Sequence, residues 1–153
     1  MELVLWRHAD AEAGVFDMKR ELTEKGRKQA TRVARWLRPR LEGQWDILVS
    51  PAARAKQTAN AIGLEYDVRL TLGPLATEDA LIREAGWPAN GRNVIIVGHQ
   101  PTLGRLAARL LTGHHGDLAF KKGAVWWFSG KLDRDAGLSE TLLRAVIAPD
   151  LAD

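Results

Sequence analysis

Met1-Glu2-Leu3-Val4-Leu5-Trp6-Arg7-His8-Ala9-Asp10 opens the chain, and its reading decides the fold. Leu3 to Trp6 is a short apolar run of the kind that fills a central strand buried on both faces. It stops at Arg7-His8, a guanidinium beside an imidazole, where a buried strand would continue apolar. Ligands of open α/β sheets bind outside the carboxyl ends of the strands, so a charged pair there marks a candidate site. Arg7 offers a planar donor fork suited to phosphate or carboxylate. His8 can serve as base, nucleophile or metal ligand. The competing reading is a strand that simply emerges into solvent.

Outward from that stretch, strand and helix signals alternate. After a polar loop over Ala11 to Arg20, Thr23 reads as a helix N-cap with Leu22 as the apolar contact before it, and Gly26 weakens the first turn. Ala30, Val33, Ala34, Leu37 and Leu41 recur at helical spacing and predict a buried face. Lys25, Arg27, Lys28, Arg32, Arg35 and Arg38 crowd the other faces, a run read as solvated surface, with an acidic partner as the alternative. Trp45 to Val49 is a second strand. Ser50-Pro51 reads as N-cap and first residue of a helix reaching about Gly63, with Arg54 in its first turn. A cation is unusual at that positive helix end unless an anion binds there.

Val68 to Leu70 predicts a short third strand and Thr77 to Ala85 a short helix capped by Thr77. Val94-Ile95-Ile96-Val97 is the strongest strand signal, and it runs into Gly98-His99-Gln100-Pro101. Leu103, Leu106, Ala107, Leu110 and Leu111 then mark a helix closed by Gly113. Ala124 to Phe128 and Leu142 to Ile147 are two more strands, joined by a polar connection around Asp133 to Ser139. Trp126 and Trp127 point to opposite faces of their strand.

Composition narrows the classes. At 153 residues, 46% hydrophobic and 27% charged, the chain suits a single globular domain over 1-153. The absence of cysteine excludes disulfides, thiolate zinc sites and thiol nucleophiles, and suits a reducing, cytoplasmic setting. No apolar run approaches a membrane span or a signal peptide core. A net charge of +3 is too mild to argue for nucleic acid, and the basic helix lacks interleaved aromatics. His114-His115 has no carboxylate or third His at ligand spacing, so it reads as a surface turn and no metal or other cofactor is expected.

Three apolar runs thus end in, or feed a helix start carrying, a cation or imidazole: Arg7-His8, Arg54 and His99. Right-handed crossovers in a parallel sheet put these ends on one edge. Two Arg and two His converging there describe a phosphate site, because guanidinium forks and helix N-terminal amides match phosphoryl oxygens.

Arg7-His8-Ala9 resembles the Arg-His-Gly signature of the histidine phosphatase superfamily, with Ala9 in the place of its glycine. The run Ser50 to Ala59 is similar to that family's second motif, Val97-Gly98-His99-Gln100-Pro101 to its third, and Arg20-Glu21-Leu22-Thr23 through Gly26 to the segment before its first helix. The small size, without a large insertion, resembles the SixA-like phosphohistidine phosphatases most. The resemblance implies a phosphoglycerate mutase-like fold: three layers, α/β/α, with a mostly parallel central sheet and helices on both faces. It implies that His8 is the nucleophile and forms a phosphohistidine, that Arg7, Arg54 and His99 hold the phosphoryl oxygens with Arg20 as a further contact, and that no metal takes part. It implies a phosphorylated substrate, a phosphohistidine-bearing protein in the SixA-like branch.

Mutase-like relatives carry a general acid in the region of Leu75 to Ala80, which makes Glu78 the candidate acid. Its other reading is a carboxylate that complements a helix start. Two alternatives stand beside the leading one: a small-molecule phosphatase or mutase relative, and a non-catalytic module that binds a phospho-ligand. The intact His8 argues against the latter, since binding needs arginines but no nucleophile.

Overall fold

The computed structural model describes every residue except Arg134 and Ala136, with the backbone alone over 137–139. The strands are β1 (Glu2–Arg7), β2 (Trp45–Val49), β3 (Asp67–Val68), β4 (Asn93–Gly98), β5 (Val125–Asp133) and β6 (Gly137–Ile147). They form one sheet in the order β3-β2-β4-β1-β5-β6. β4 pairs in parallel with β1 on one side and β2 on the other, and β2 pairs in parallel with β3. β5 runs antiparallel to both β1 and β6.

The helices are α1 (Glu24–Leu37), α2 (Ala53–Asn60), α3 (Glu78–Ala85) and α4 (Thr102–Thr112). Alternation along the strands makes the two cores. Val4, Trp6, Val49, Ile95 and Val97 point to the face covered by α1 and α2, and pack with Val33, Leu37, Ala55 and Ala59. Leu3, Leu5, Leu48, Val94 and Ile96 point to the other, against Leu81 of α3 and Leu103 and Leu106 of α4. The expected three-layer arrangement is therefore present. Trp127 lies in the first core, and Trp126 packs against the second.

Several local expectations change. α1 ends at Leu37 because Pro39 cannot continue it; Arg38–Arg40 form a 3-10 turn, and Leu41 reaches the core from beyond it. The third strand is only Asp67–Val68, and Leu70–Leu72 turn inward to bury Leu72. The last two strands are longer than their apolar runs, because Ser129 to Asp133 pairs on with the start of β6 as a hairpin whose end is open to water on both faces. Arg134 and Ala136, in the connection between them, lie outside the described residues.

Gly26 has a packing role that outweighs its cost in the helix. A Cβ there would sit 1.9 Å from the Asp10 carbonyl oxygen. Thr23 caps α1 by accepting from the Gly26 amide at 2.9 Å, and its hydroxyl donates to the Asp10 carboxylate at 2.8 Å. The start of α1 is thus pressed against the segment that leaves β1. No helix among the described residues is long and apolar enough to cross a membrane.

Candidate active site

Sheet register sets the site. Arg7 pairs with Gly98, and the His8 amide donates to the Gly98 carbonyl at 3.1 Å, so His8 and His99 leave adjacent strands together. Their rings stand 5.1 Å apart between centroids. On the other side of β4 the Ser50 amide donates to the Val97 carbonyl at 3.0 Å, which brings in the start of α2 and with it Arg54. His8, Arg54 and His99 are all buried.

The bonds of His8 define its chemistry. Nδ1 is 2.8 Å from the Ala9 carbonyl. A carbonyl accepts, so in the neutral ring Nδ1 carries the proton and Nε2 keeps a lone pair. Burial pushes the His8 pKa down to about 4; the Ala9 bond opposes this, and the charges of Arg54, Arg7 and Arg20 add to it. His99 is pushed to about 3 by burial first, then by His8 and Arg54. Both rings are neutral near pH 7.

Each arginine is held by one part of its guanidinium and leaves another part unused. Arg7 donates from Nη1 to the Phe120 carbonyl at 2.7 Å. Arg54 donates from Nη1 to the Asp17 carbonyl at 2.7 Å and from Nη2 to the Asp17 carboxylate at 3.1 Å. The Nε of each is buried without a hydrogen-bond partner. Unpaired buried donors are costly, and an acceptor oxygen reaching either one would offset that cost. Arg20 lies at the outer edge, donating to the Glu12 carbonyl at 2.7 Å and to the second Asp17 oxygen at 3.0 Å.

Glu78 lies in the first turn of α3 with a mostly buried side chain. Its carboxylate pairs with Arg109 at 3.4 Å and His115 at 3.5 Å, and it makes no hydrogen bond or ion pair to His8, Arg54 or His99. It opens α3, as the helix-start reading has it. No three His, Asp or Glu side chains gather at metal-ligand spacing among the described residues.

Three participants escaped sequence reasoning. Asp17 grips Arg54 and Arg20 with one carboxylate, yet sits in a polar loop where nothing singles it out. Ser50 is not the N-cap of α2, which is Ala52; its hydroxyl lies 2.7 Å from His99 Nε2. Thr58, one turn beyond Arg54, accepts the Ala9 amide at 3.0 Å and donates to the Arg54 carbonyl at 2.8 Å. Ser50 and Thr58 both fall inside the second motif, which was a signal for them. Ala9 fits where the signature has glycine, being buried and without a positive φ.

The family model described as histidine phosphatase superfamily (branch 1) matches residues 3–87. An uncharacterized protein of Picosynechococcus is 35% identical, over 85% of this chain and 86% of its own. A phosphohistidine phosphatase SixA homolog of Haemophilus influenzae is 28% identical over 94% of each chain. The solved structure of a protein histidine phosphatase SixA complexed with tungstate superposes with a TM-score of 0.81 at 25% identity, covering 98% of each chain.

Proposed function

The chain belongs to the histidine phosphatase superfamily and is a phosphatase, and from that premise we propose that residues 1-153 act as one domain that removes the phosphoryl group from phosphohistidine on a protein, through His8 and without a metal ion. The observation that carries the reading is the neutral His8, its Nδ1 held by the Ala9 carbonyl, buried at the same strand edge as His99 and the guanidinium of Arg54.

In the first step His8 Nε2 attacks phosphorus, a new N–P bond forms, and the bond to the substrate imidazole breaks with its electron pair leaving on that ring. The Ala9 carbonyl steadies Nδ1–H as positive charge develops on the His8 ring. Arg7, Arg54 and His99 receive the phosphoryl oxygens, and Arg20 adds charge at the rim. Water then attacks the phosphohistidine, phosphate departs, and His8 recovers its lone pair.

Two features support a protein substrate. The connections at the site edge are short at 50–52 and 99–101, and the longer ones, 8–23, 69–77 and 113–124, carry no helix beyond the 3-10 turns Asp17–Lys19 and Leu70–Leu72. The likeness to SixA proteins extends over nearly the full length of each chain.

Rapid quenching with a labelled phosphohistidine peptide should trap an acid-labile, base-stable phosphoenzyme that His8→Ala abolishes. Full turnover by His8→Ala removes the nucleophile assignment. Activity should also survive exhaustive chelation; its loss and rescue by zinc or magnesium would refute the metal-free step.

A further inference from the structure

Beside the site lies a groove of about 760 Å³ between the exposed face of α1, the loop at Lys121-Lys122 and the turn at Pro149-Asp150. Five cations line it, Lys25, Lys28, Arg32, Lys121 and Lys122, against two carboxylates, Glu24 and Asp150. Three of the five cations are paired within the chain, Lys122 most closely, with Asp10 at 2.9 Å, and Lys28 and Arg32 at exposed sites. Lys28 meets Glu24 only at 3.6 Å with both side chains exposed, and Arg32 meets the exposed Asp153 at 3.1 Å; such pairs contribute little. Lys121 has no hydrogen bond or ion pair from its side chain among the described residues.

The groove is tied to the reacting centre through Asp10 and Gly123. Asp10, two beyond His8, receives Lys122 at 2.9 Å, and its amide donates to Gln29 of the groove wall at 2.9 Å. Gly123, next to Lys122, donates its amide to the His8 carbonyl at 3.0 Å. The cationic surface therefore begins one residue from the backbone contact of the nucleophile. Its volume exceeds what a single phosphate fills, and its charges are spread over two facing elements. That arrangement suits an extended acidic segment, whose carboxylates can meet several ammonium groups at once.

We propose that this groove docks the acidic segment flanking the phosphohistidine of a protein substrate, which rests on the function proposed above. The cations of α1 and of the 121–122 loop bind the segment, while the phosphoryl group enters the cradle of Arg7, Arg54 and His8. The groove selects substrates and the cradle carries out the chemistry.

Two synthetic phosphohistidine peptides test it, one flanked by glutamates and one by glutamines. The wild-type chain should show kcat/KM about 10-fold or more higher for the acidic peptide at low salt, with the advantage shrinking as ionic strength rises. The K28E/K121E double variant should lose that preference while cleaving the glutamine peptide at the wild-type rate. Equal rates on both peptides, or a preference that survives the double variant, would overturn docking in the groove. Fluorescence anisotropy with the unphosphorylated glutamate peptide separates docking from chemistry: it should bind the wild type and not the double variant even if neither phosphopeptide is hydrolysed, a result that would sink only the proposed function. Equal competition by a single-stranded oligonucleotide of the same charge would make the groove a general polyanion surface and overturn the assignment.

Discussion

Ser50 Oγ lies 2.7 Å from His99 Nε2 and also accepts the Ala52 amide at 3.2 Å. A hydroxyl can donate to an imidazole nitrogen or accept from it, so this contact is compatible with either tautomer of His99. Arg54 Nη2 stands 3.5 Å from His99 Nδ1, and a guanidinium only donates. Nδ1 therefore keeps its lone pair and Nε2–H donates to Ser50. When a phosphoryl oxygen stands at Nδ1 the reverse arrangement serves it, with Ser50 donating to Nε2.

Removing that hydroxyl should be felt in the chemistry. Ser50→Ala leaves His99 Nε2 buried without its partner, a loss of about 1–3 kcal/mol, or roughly 10-fold or more in kcat/KM if it falls on the transition state. Steady-state kinetics at pH 7 would check it. An unchanged kcat/KM would show that His99 needs no support from Ser50.

Protonation of the two histidines should set a pH limit on stability. In the unfolded chain an imidazole takes its proton near pH 6.5, whereas folded His8 waits until about 4 and His99 until about 3. Below pH 6.5 the unfolded state binds more protons, so stability present above 6.5 is lost as pH falls toward 3. Urea midpoints should fall across that window, and His8→Asn should flatten part of the slope. Equal slopes in both proteins would mean that His8 titrates alike in the folded and unfolded states.

Gly26→Ala tests the contact between α1 and Asp10. Alanine is worth about 1 kcal/mol more than glycine within a helix. Its Cβ, however, would meet the Asp10 carbonyl oxygen at 1.9 Å, and backbone cannot swing aside as a side chain can. The expected outcome is a net loss of about 1–3 kcal/mol in urea denaturation, with lower turnover because Asp10 is two residues from His8. A more stable variant would show that α1 can back away.

Leaving-group chemistry tests Glu78. Glu78 pairs with Arg109 at 3.4 Å, which fits a carboxylate that complements a helix start and is not the acid. An alkoxide is hard to expel unprotonated, since a hydroxyl resembles water at a pKa of about 15.7. A phenol near 10 is easier, and an imidazole near 6.5 departs neutral once protonated. Phosphohistidine should therefore be cleaved best, aryl phosphates next and sugar phosphates poorly, with Glu78→Gln changing little. Efficient sugar-phosphate hydrolysis that collapses by ~100-fold in Glu78→Gln would instead assign a small-molecule substrate and an acid role.

Much of this architecture was legible in the chain because central parallel strands are buried on both faces and read as unbroken apolar runs. Leu3–Trp6, Trp45–Val49 and Val94–Val97 stood out for that reason, and the groups following them fell on one edge. The Thr23 cap was legible because its partners lie within three residues. Ser50 and Asp17 were not. Ser50 meets a ring 49 residues away, across a strand that local sequence does not place. Asp17 acts through a turn whose only signature is its final geometry. The edge strand β3 was misjudged because an edge of two residues carries no buried period.

The placement of β4 between β1 and β2 has a further consequence for how the protein comes into being. β1 and β2 come earlier in the chain, yet neither pairs with the other in the sheet; residues 93–98 lie between them. His8 cannot meet His99, nor Ser50 its imidazole, until residue 99 has been made and β4 lies between the two strands. A chain paused on the ribosome before residue 93 holds the first two motifs and no catalyst. On the roles proposed above, activity needs the chain through the start of β5 as well, because Phe120 holds Arg7 and Gly123 holds the His8 carbonyl.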